Sequence, residues 1–263
     1  MYDPPAYLWA LTIGGPTAIA AAACTALYAG AVHAGLGRRR APLLAGAAAV
    51  LLAGWFTATV VIAGHGWYDT RPGQVPWQPI AMAGSLGTLL ALSRVPVVAR
   101  ALTAPGMASR LVLPHSFRVT GVFFLLYLAL GHLPALFALP AGLGDIAAGI
   151  AAPLVARRLA EGTGRHAAVW FNVYGLTDLA VGMTLGALIG YGLLHVTPST
   201  APTSELPLAL VITADVPLML ALHITCLVTL ARAVRPAPSA VGPLMSGAKS
   251  RAAVTQSPAS RAR

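Results

Sequence analysis

Long apolar stretches separated by short polar gaps make up nearly the whole chain. Seven of them approach or exceed the roughly 20 residues a helix needs to cross the bilayer's hydrocarbon. They cover residues 7–33, 41–64, 77–99, 115–138, 140–158, 166–194 and 207–231. Backbone N–H and C=O groups in lipid must be satisfied within the segment, so runs of this length predict helices. The expected fold is an all-α integral membrane protein, a seven-transmembrane-helix bundle over residues 1–235. Residues 236–263 are rich in Ser, Pro and Ala and carry Lys249, Arg251, Arg261 and Arg263. That composition cannot bury a core and predicts a disordered basic tail.

The polar gaps set an orientation. Arg38, Arg39 and Arg40 follow the first span. Arg94, Arg100, Arg110 and Arg118 surround the third-to-fourth connection, Arg157, Arg158 and Arg165 lie between the fifth and sixth spans, and Arg232 and Arg235 follow the seventh. With seven spans all of these fall at one end, which the positive-inside rule makes cytoplasmic. The other end carries Asp3, Asp69, Arg71 and Glu205. The N-terminus is therefore expected outside and the C-terminus inside, in a multi-pass protein of the plasma (inner) membrane. The loop His65–Trp77 is expected to form an interfacial aromatic belt. The connection Leu102–Leu113 is expected to form a short interfacial helix, and His195–Pro207 to lack regular structure.

Composition sharpens this reading. The 263 residues are 57% hydrophobic and 9% charged, with a mean hydropathy of +0.75. Soluble domains carry about 25% charged residues. The net charge of +10 would suggest nucleic acid in a soluble chain, but here it resides in the inter-span gaps, so no nucleic-acid partner is expected. Cys24 and Cys226 both sit in apolar segments with no CxxC pairing, which points to buried thiols rather than a disulfide.

Against this apolar background the pattern G-L-x-D-(I/L)-A-x-G occurs twice. It runs from Gly142 to Gly149 around Asp145 and from Gly175 to Gly182 around Asp178. A carboxylate inside an apolar span is costly and marks a functional site by default. Positions i, i+3 and i+7 share a helix face, so Gly142, Asp145 and Gly149 form one stripe and Gly175, Asp178 and Gly182 another. Small residues at such positions let helices approach closely in lipid. At 1.5 Å per residue, Asp145 lies about 20 Å and Asp178 about 17 Å from the arginine-rich end. Two copies in oppositely directed spans suggest a local inverted duplication of the kind found in transporters.

Other polar groups fall in the second half of the chain: His132 on the fourth span, Asn172 on the sixth, Asp215 and His223 on the seventh. The same rise puts His132 and Asp215 at about 24–25 Å and His223 at about 14 Å, with Asn172 nearer the arginine-rich end. Pro134, Pro140, Pro153 and Pro217 are expected to interrupt these spans, which lipid tolerates only where protein or a cavity satisfies the freed carbonyls. Asp145, Asp178 and His223 are the candidates for the chemistry. Arg118, His132, Asn172 and Asp215 are expected to line the path or support them. Spans one to three are expected to be scaffold.

Several chemistries are excluded. A retinal Schiff base needs a lysine in the last span, and the only lysine is Lys249. There is no P-loop, no G-x-S-x-G elbow and no dinucleotide fingerprint. No His pair has zinc spacing, so no metal is assigned, and the sequence names no cofactor. Three functions remain open. One is a proton-linked transporter of a small solute. A second is an intramembrane enzyme using carboxylate acid–base chemistry on a lipophilic ligand. The third is a non-catalytic membrane subunit, held by a protein partner or a second copy of itself.

Overall fold

The computed structural model describes residues 4–69 and 75–232, and every element there is helical. Asp3, Arg71, Arg235 and the tail 236–263 lie outside the described residues. In order come α1 (Ala6–His33), α2 (Gly37–Gly64), α3 (Trp77–Leu92) and α4 (Pro96–Leu102). Then follow α5 (Met107–Val112), a 3₁₀ segment (Leu113–Gly121) and α6 (Val122–Ala129), then α7 (Ala135–Ala160) and α8 (Arg165–Gly190). A 3₁₀ turn (Ala201–Ser204) leads to α9 (Leu208–Leu210), a π segment (Val211–Asp215) and α10 (Val216–Arg232).

Six of these stretches are long and apolar enough to cross a membrane, among them Met107–Ala129 and Leu208–Arg232 taken as single spans. The seventh crossing is the pair α3–α4, bent by 84°. Contacts at its two ends show that it joins both faces of the bundle. At its start the Gln78 side-chain amide donates to the Thr203 carbonyl at 2.6 Å. At its end a Cβ on Gly30, in the last turns of α1, would meet the Ala101 carbonyl of α4.

The fourth crossing differs from the expected 115–138. Gly106, at φ +72°, starts it at Met107, and it ends at Ala129. The short surface helix precedes Leu102 instead of following it. Arg118 consequently moves from the arginine-rich connection to the middle of a span, and His132 moves out of the span into the link before α7. Pro134 is extended (φ −74°, ψ 143°) and caps α7. Pro140 and Pro153 do not interrupt α7, which runs through both. The irregular backbone lies in the 3₁₀ segment after Pro114's entry and in the π segment before Pro217. The link 195–207 contains the 3₁₀ turn and buries Thr203 and Ser204.

The core sits where α7 packs on the 3₁₀ segment, α8 and α5, with α10 beside α8. α2 and α8 keep broad lipid-facing sides, whereas the span Leu208–Arg232 is mostly enclosed.

Candidate functional site

The 3₁₀ segment positions the central group. A 3₁₀ helix has 3.0 residues per turn, so positions i, i+3 and i+6 eclipse. His115, Arg118 and Gly121 have that spacing and all three are buried, while Phe117 and Val119 are exposed. The tight turn thus aligns an imidazole, a guanidinium and a gap in one inward row.

Arg118 has a fully buried side chain and bridges two helices. Its Nε donates to Asp145 Oδ1 at 2.8 Å. Its Nη2 reaches Asp145 Oδ1 at 2.7 Å and Asp178 Oδ2 at 2.6 Å. Nη1 faces His223 Nε2 at 3.3 Å. All three guanidinium nitrogens therefore have a hydrogen-bond partner, one each on α7, α8 and α10.

The state of His223 follows from Asn172. The Asn172 amide nitrogen donates to the Ala168 carbonyl at 2.7 Å and to Cys226 Sγ at 3.4 Å. Its oxygen is left facing His223 Nδ1 at 2.9 Å. Nδ1 must then donate, and Nε2 is the acceptor for Arg118. His223 is neutral in this arrangement. His115 stacks on it with ring centroids 3.8 Å apart and planes 16° apart. Neither His115 nitrogen has a hydrogen-bond partner among the described residues.

Asp215 closes the π segment and is buried, within electrostatic reach of Arg118 and Asp145. Its Oδ1 has no hydrogen-bond partner among the described residues. Beyond it, towards the end bearing Tyr68, Thr213 Oγ1 donates to the Ala209 carbonyl at 2.6 Å and lies 3.4 Å from Thr59 Oγ1. The Tyr68 hydroxyl sits beside both threonines. Trp55 Nε1 donates to the Thr213 carbonyl at 2.9 Å.

Glycines make the approach between helices. A Cβ on Gly144 would strike the Asp178 carboxylate, and one on Gly121 would strike the Asp145 side chain. Gly175 leaves room for the His223 ring. Gly142 and Gly149 face the fourth span, where a Cβ would come to 2.8 Å of Leu125 and 2.6 Å of the Val119 nitrogen. Gly182 differs, since a Cβ there meets only Ala141 Cβ at 3.9 Å. The two Asp motifs thus do not pack alike.

The sequence candidates Arg118, Asp145, Asp178, Asn172 and His223 meet in one hydrogen-bonded group, with Asp215 at its edge. His132 stands apart in the 130–134 link. Sequence reasoning missed His115, Gly121 and Gly144. The signal was the three-residue spacing His115–Arg118–Gly121 after Pro114, invisible to a 3.6-residue reading. Among the described residues no three of His, Cys, Asp and Glu converge to hold a metal ion. The guanidinium itself fills the space between Asp145 and Asp178.

A family model described as a domain of unknown function (DUF8737) matches residues 75–231. The chain belongs to this family. The DUF8737 match runs from just before α3 to the end of α10 and contains every member of the polar group; α1 and α2 lie outside it. No curated protein and no solved structure matches the chain.

Proposed function

We propose that this DUF8737 protein is a proton-linked carrier of a small solute, with the Arg118–Asp145–Asp178 group as the site that takes and passes the proton. The observation that carries the reading is charge balance. Asp145, Asp178 and Asp215 face one guanidinium, and His223 is held neutral by Asn172. Fully ionised, the group would carry two uncompensated negative charges at mid-membrane. Charge there costs several kcal/mol unless neutralised, so protons or a transported cation must complete the site. Polar groups extend from it in both directions, through Thr213, Thr59 and Tyr68 on one side and through His223, Asn172 and Cys226 on the other. A carrier needs such groups towards both faces. With the arginine-rich end cytoplasmic, the path would run between the outside and the cytoplasm.

Protein in proteoliposomes is expected to carry protons down an imposed potential. Asp178→Asn is expected to abolish that flux in protein that still folds, although loss of the ion pair with Arg118 lowers its melting temperature. Equal flux from the two proteins would end the reading.

One observation favours a second reading. Asp178 lies at the lipid side of the group, next to Thr177 and the 44%-exposed Tyr174, whose hydroxyl reaches the Gly144 carbonyl at 3.4 Å. A lipophilic substrate entering from the bilayer would meet Asp178 first, as an intramembrane acid–base enzyme requires.

A further inference from the structure

The elbow between α3 and α4 points to a second site, unconnected with the polar group. α3 ends at Leu92, Val95 is extended (φ −59°, ψ 131°) ahead of Pro96, and the chain turns through 84°. A residue before proline is driven out of the helical region, so the turn is fixed by Val95–Pro96. It lays α4 across the arginine-rich end of the bundle instead of along α10, and two spaces open beneath it.

The inner space has a volume of about 240 Å³ and lies among α1, α2, α3, α5 and α10, with walls that include Cys24, Ala48, Leu52, Met107 and Leu222. It is almost wholly apolar. The outer space, about 300 Å³, is lined by Arg94, Arg232, Thr103, Thr229 and Ser93 among others. Ser93, Leu102 and Thr225 line both, so the two spaces adjoin. Among the described residues no carboxylate lines either one.

We propose that this elbow binds one anionic phospholipid, its headgroup between Arg94 and Arg232 and one hydrocarbon tail in the inner space. Guanidinium groups pair with phosphate oxygens in a bidentate manner, and basic pockets between helices at the membrane surface hold anionic headgroups. Both arginines are exposed and lack a carboxylate partner in this space, so their charge is available. The apolar interior supplies what a tail needs, since burial of each methylene is favourable. A free phosphate would match the arginines and leave the cavity without an occupant of its kind. A neutral lipid would do the reverse.

The test is native mass spectrometry of the full chain with phosphatidylglycerol, phosphatidylcholine or inorganic phosphate added. Phosphatidylglycerol is expected to be retained about 30-fold better than phosphatidylcholine, the ratio that two interfacial arginines give. The variant R94Q/R232Q is expected to reduce that ratio to about one with no change in melting temperature. Ala48→Phe, which fills the inner space, is expected to weaken both lipids together. Cys24 provides a readout without a core substitution, because a seated tail should slow its alkylation. Equal retention of the two lipids by the wild type would overturn the proposal. So would an unaltered preference in R94Q/R232Q, or displacement of phosphatidylglycerol by equimolar inorganic phosphate, which would assign the arginines to a free anion.

Discussion

Arg118 is the residue on which three helices depend. It is the partner of Asp145, Asp178 and His223 at once, so removing it strands two largely buried carboxylates. Loss of one partner from a buried ion pair costs about 3–5 kcal/mol. Arg118→Gln is therefore expected to lower stability by at least that much, measured as a loss in thermal or denaturant midpoint in detergent. Arg118→Lys keeps the charge but not the planar fork, and is expected to recover only part. The Asn172–His223 contact carries less energy. Asn172→Leu leaves Nδ1–H of a buried imidazole without an acceptor, at a cost of about 1–3 kcal/mol. His115 has no hydrogen bond to lose among the described residues, and its ring packs edge-on to Phe171 with centroids 5.7 Å apart. His115→Phe is expected to hold or raise the melting temperature. A marked fall would mean that its nitrogens are satisfied by groups other than the protein's own.

At the scale of elements, close approach of α7 to its neighbours decides whether the ion pairs can form. Gly144→Ala places a methyl against the Asp178 carboxylate, and overpacking of this kind costs about 1–3 kcal/mol. Gly182→Ala meets open packing and is expected to change stability by less than about 0.5 kcal/mol. The two glycines sit at different points of the repeated motif, Gly144 within the first copy and Gly182 at the end of the second. A comparison of the two variants therefore separates packing from motif membership. Asp145 and Asp178 are legible in the sequence because an ionisable group in an apolar run is too costly to stand there without a partner. Which helix each one faces is not legible. Gly142 and Gly149 are readable as a stripe, but their partner is the fourth span rather than α8. Arginine near a helix start ordinarily marks topology, and Arg118 reads both ways in the sequence, as part of the arginine-rich connection and as a candidate support for the carboxylates. Only the shift of the span to Met107–Ala129, with a 3₁₀ centre, takes it into the core. The same shift displaces His132 in the opposite direction, out of the span.

At the scale of the molecule, apolar run length predicts the number of crossings, and the Val95–Pro96 elbow escapes it because composition does not change across the turn. The arginines left at one end after Arg118 is removed from the count still include Arg38, Arg39, Arg40, Arg157, Arg158 and Arg165. That asymmetry predicts a cytoplasmic location for the 161–164 link. In a background lacking Cys24 and Cys226, Ser199→Cys is expected to react with a membrane-impermeant maleimide on intact cells. Thr163→Cys is expected to react only after the cells are opened. Labelling in the reverse order would invert the bundle.

The ion pairs also constrain how the protein can be made. Arg118 leaves the ribosome before Asp145 and well before Asp178. An arginine at the centre of an isolated helix costs about 2.5–3.5 kcal/mol for insertion, and an aspartate a similar amount. None of spans four, five and six therefore enters lipid cheaply alone, yet together they conceal their charges from it. Biogenesis should hold the fourth span in or beside the insertion machinery until the helical hairpin that follows has been synthesised. In a nascent chain stalled when the fourth span has just emerged, that span is expected to crosslink to the insertion machinery, and the crosslink is expected to be lost once α8 has emerged as well.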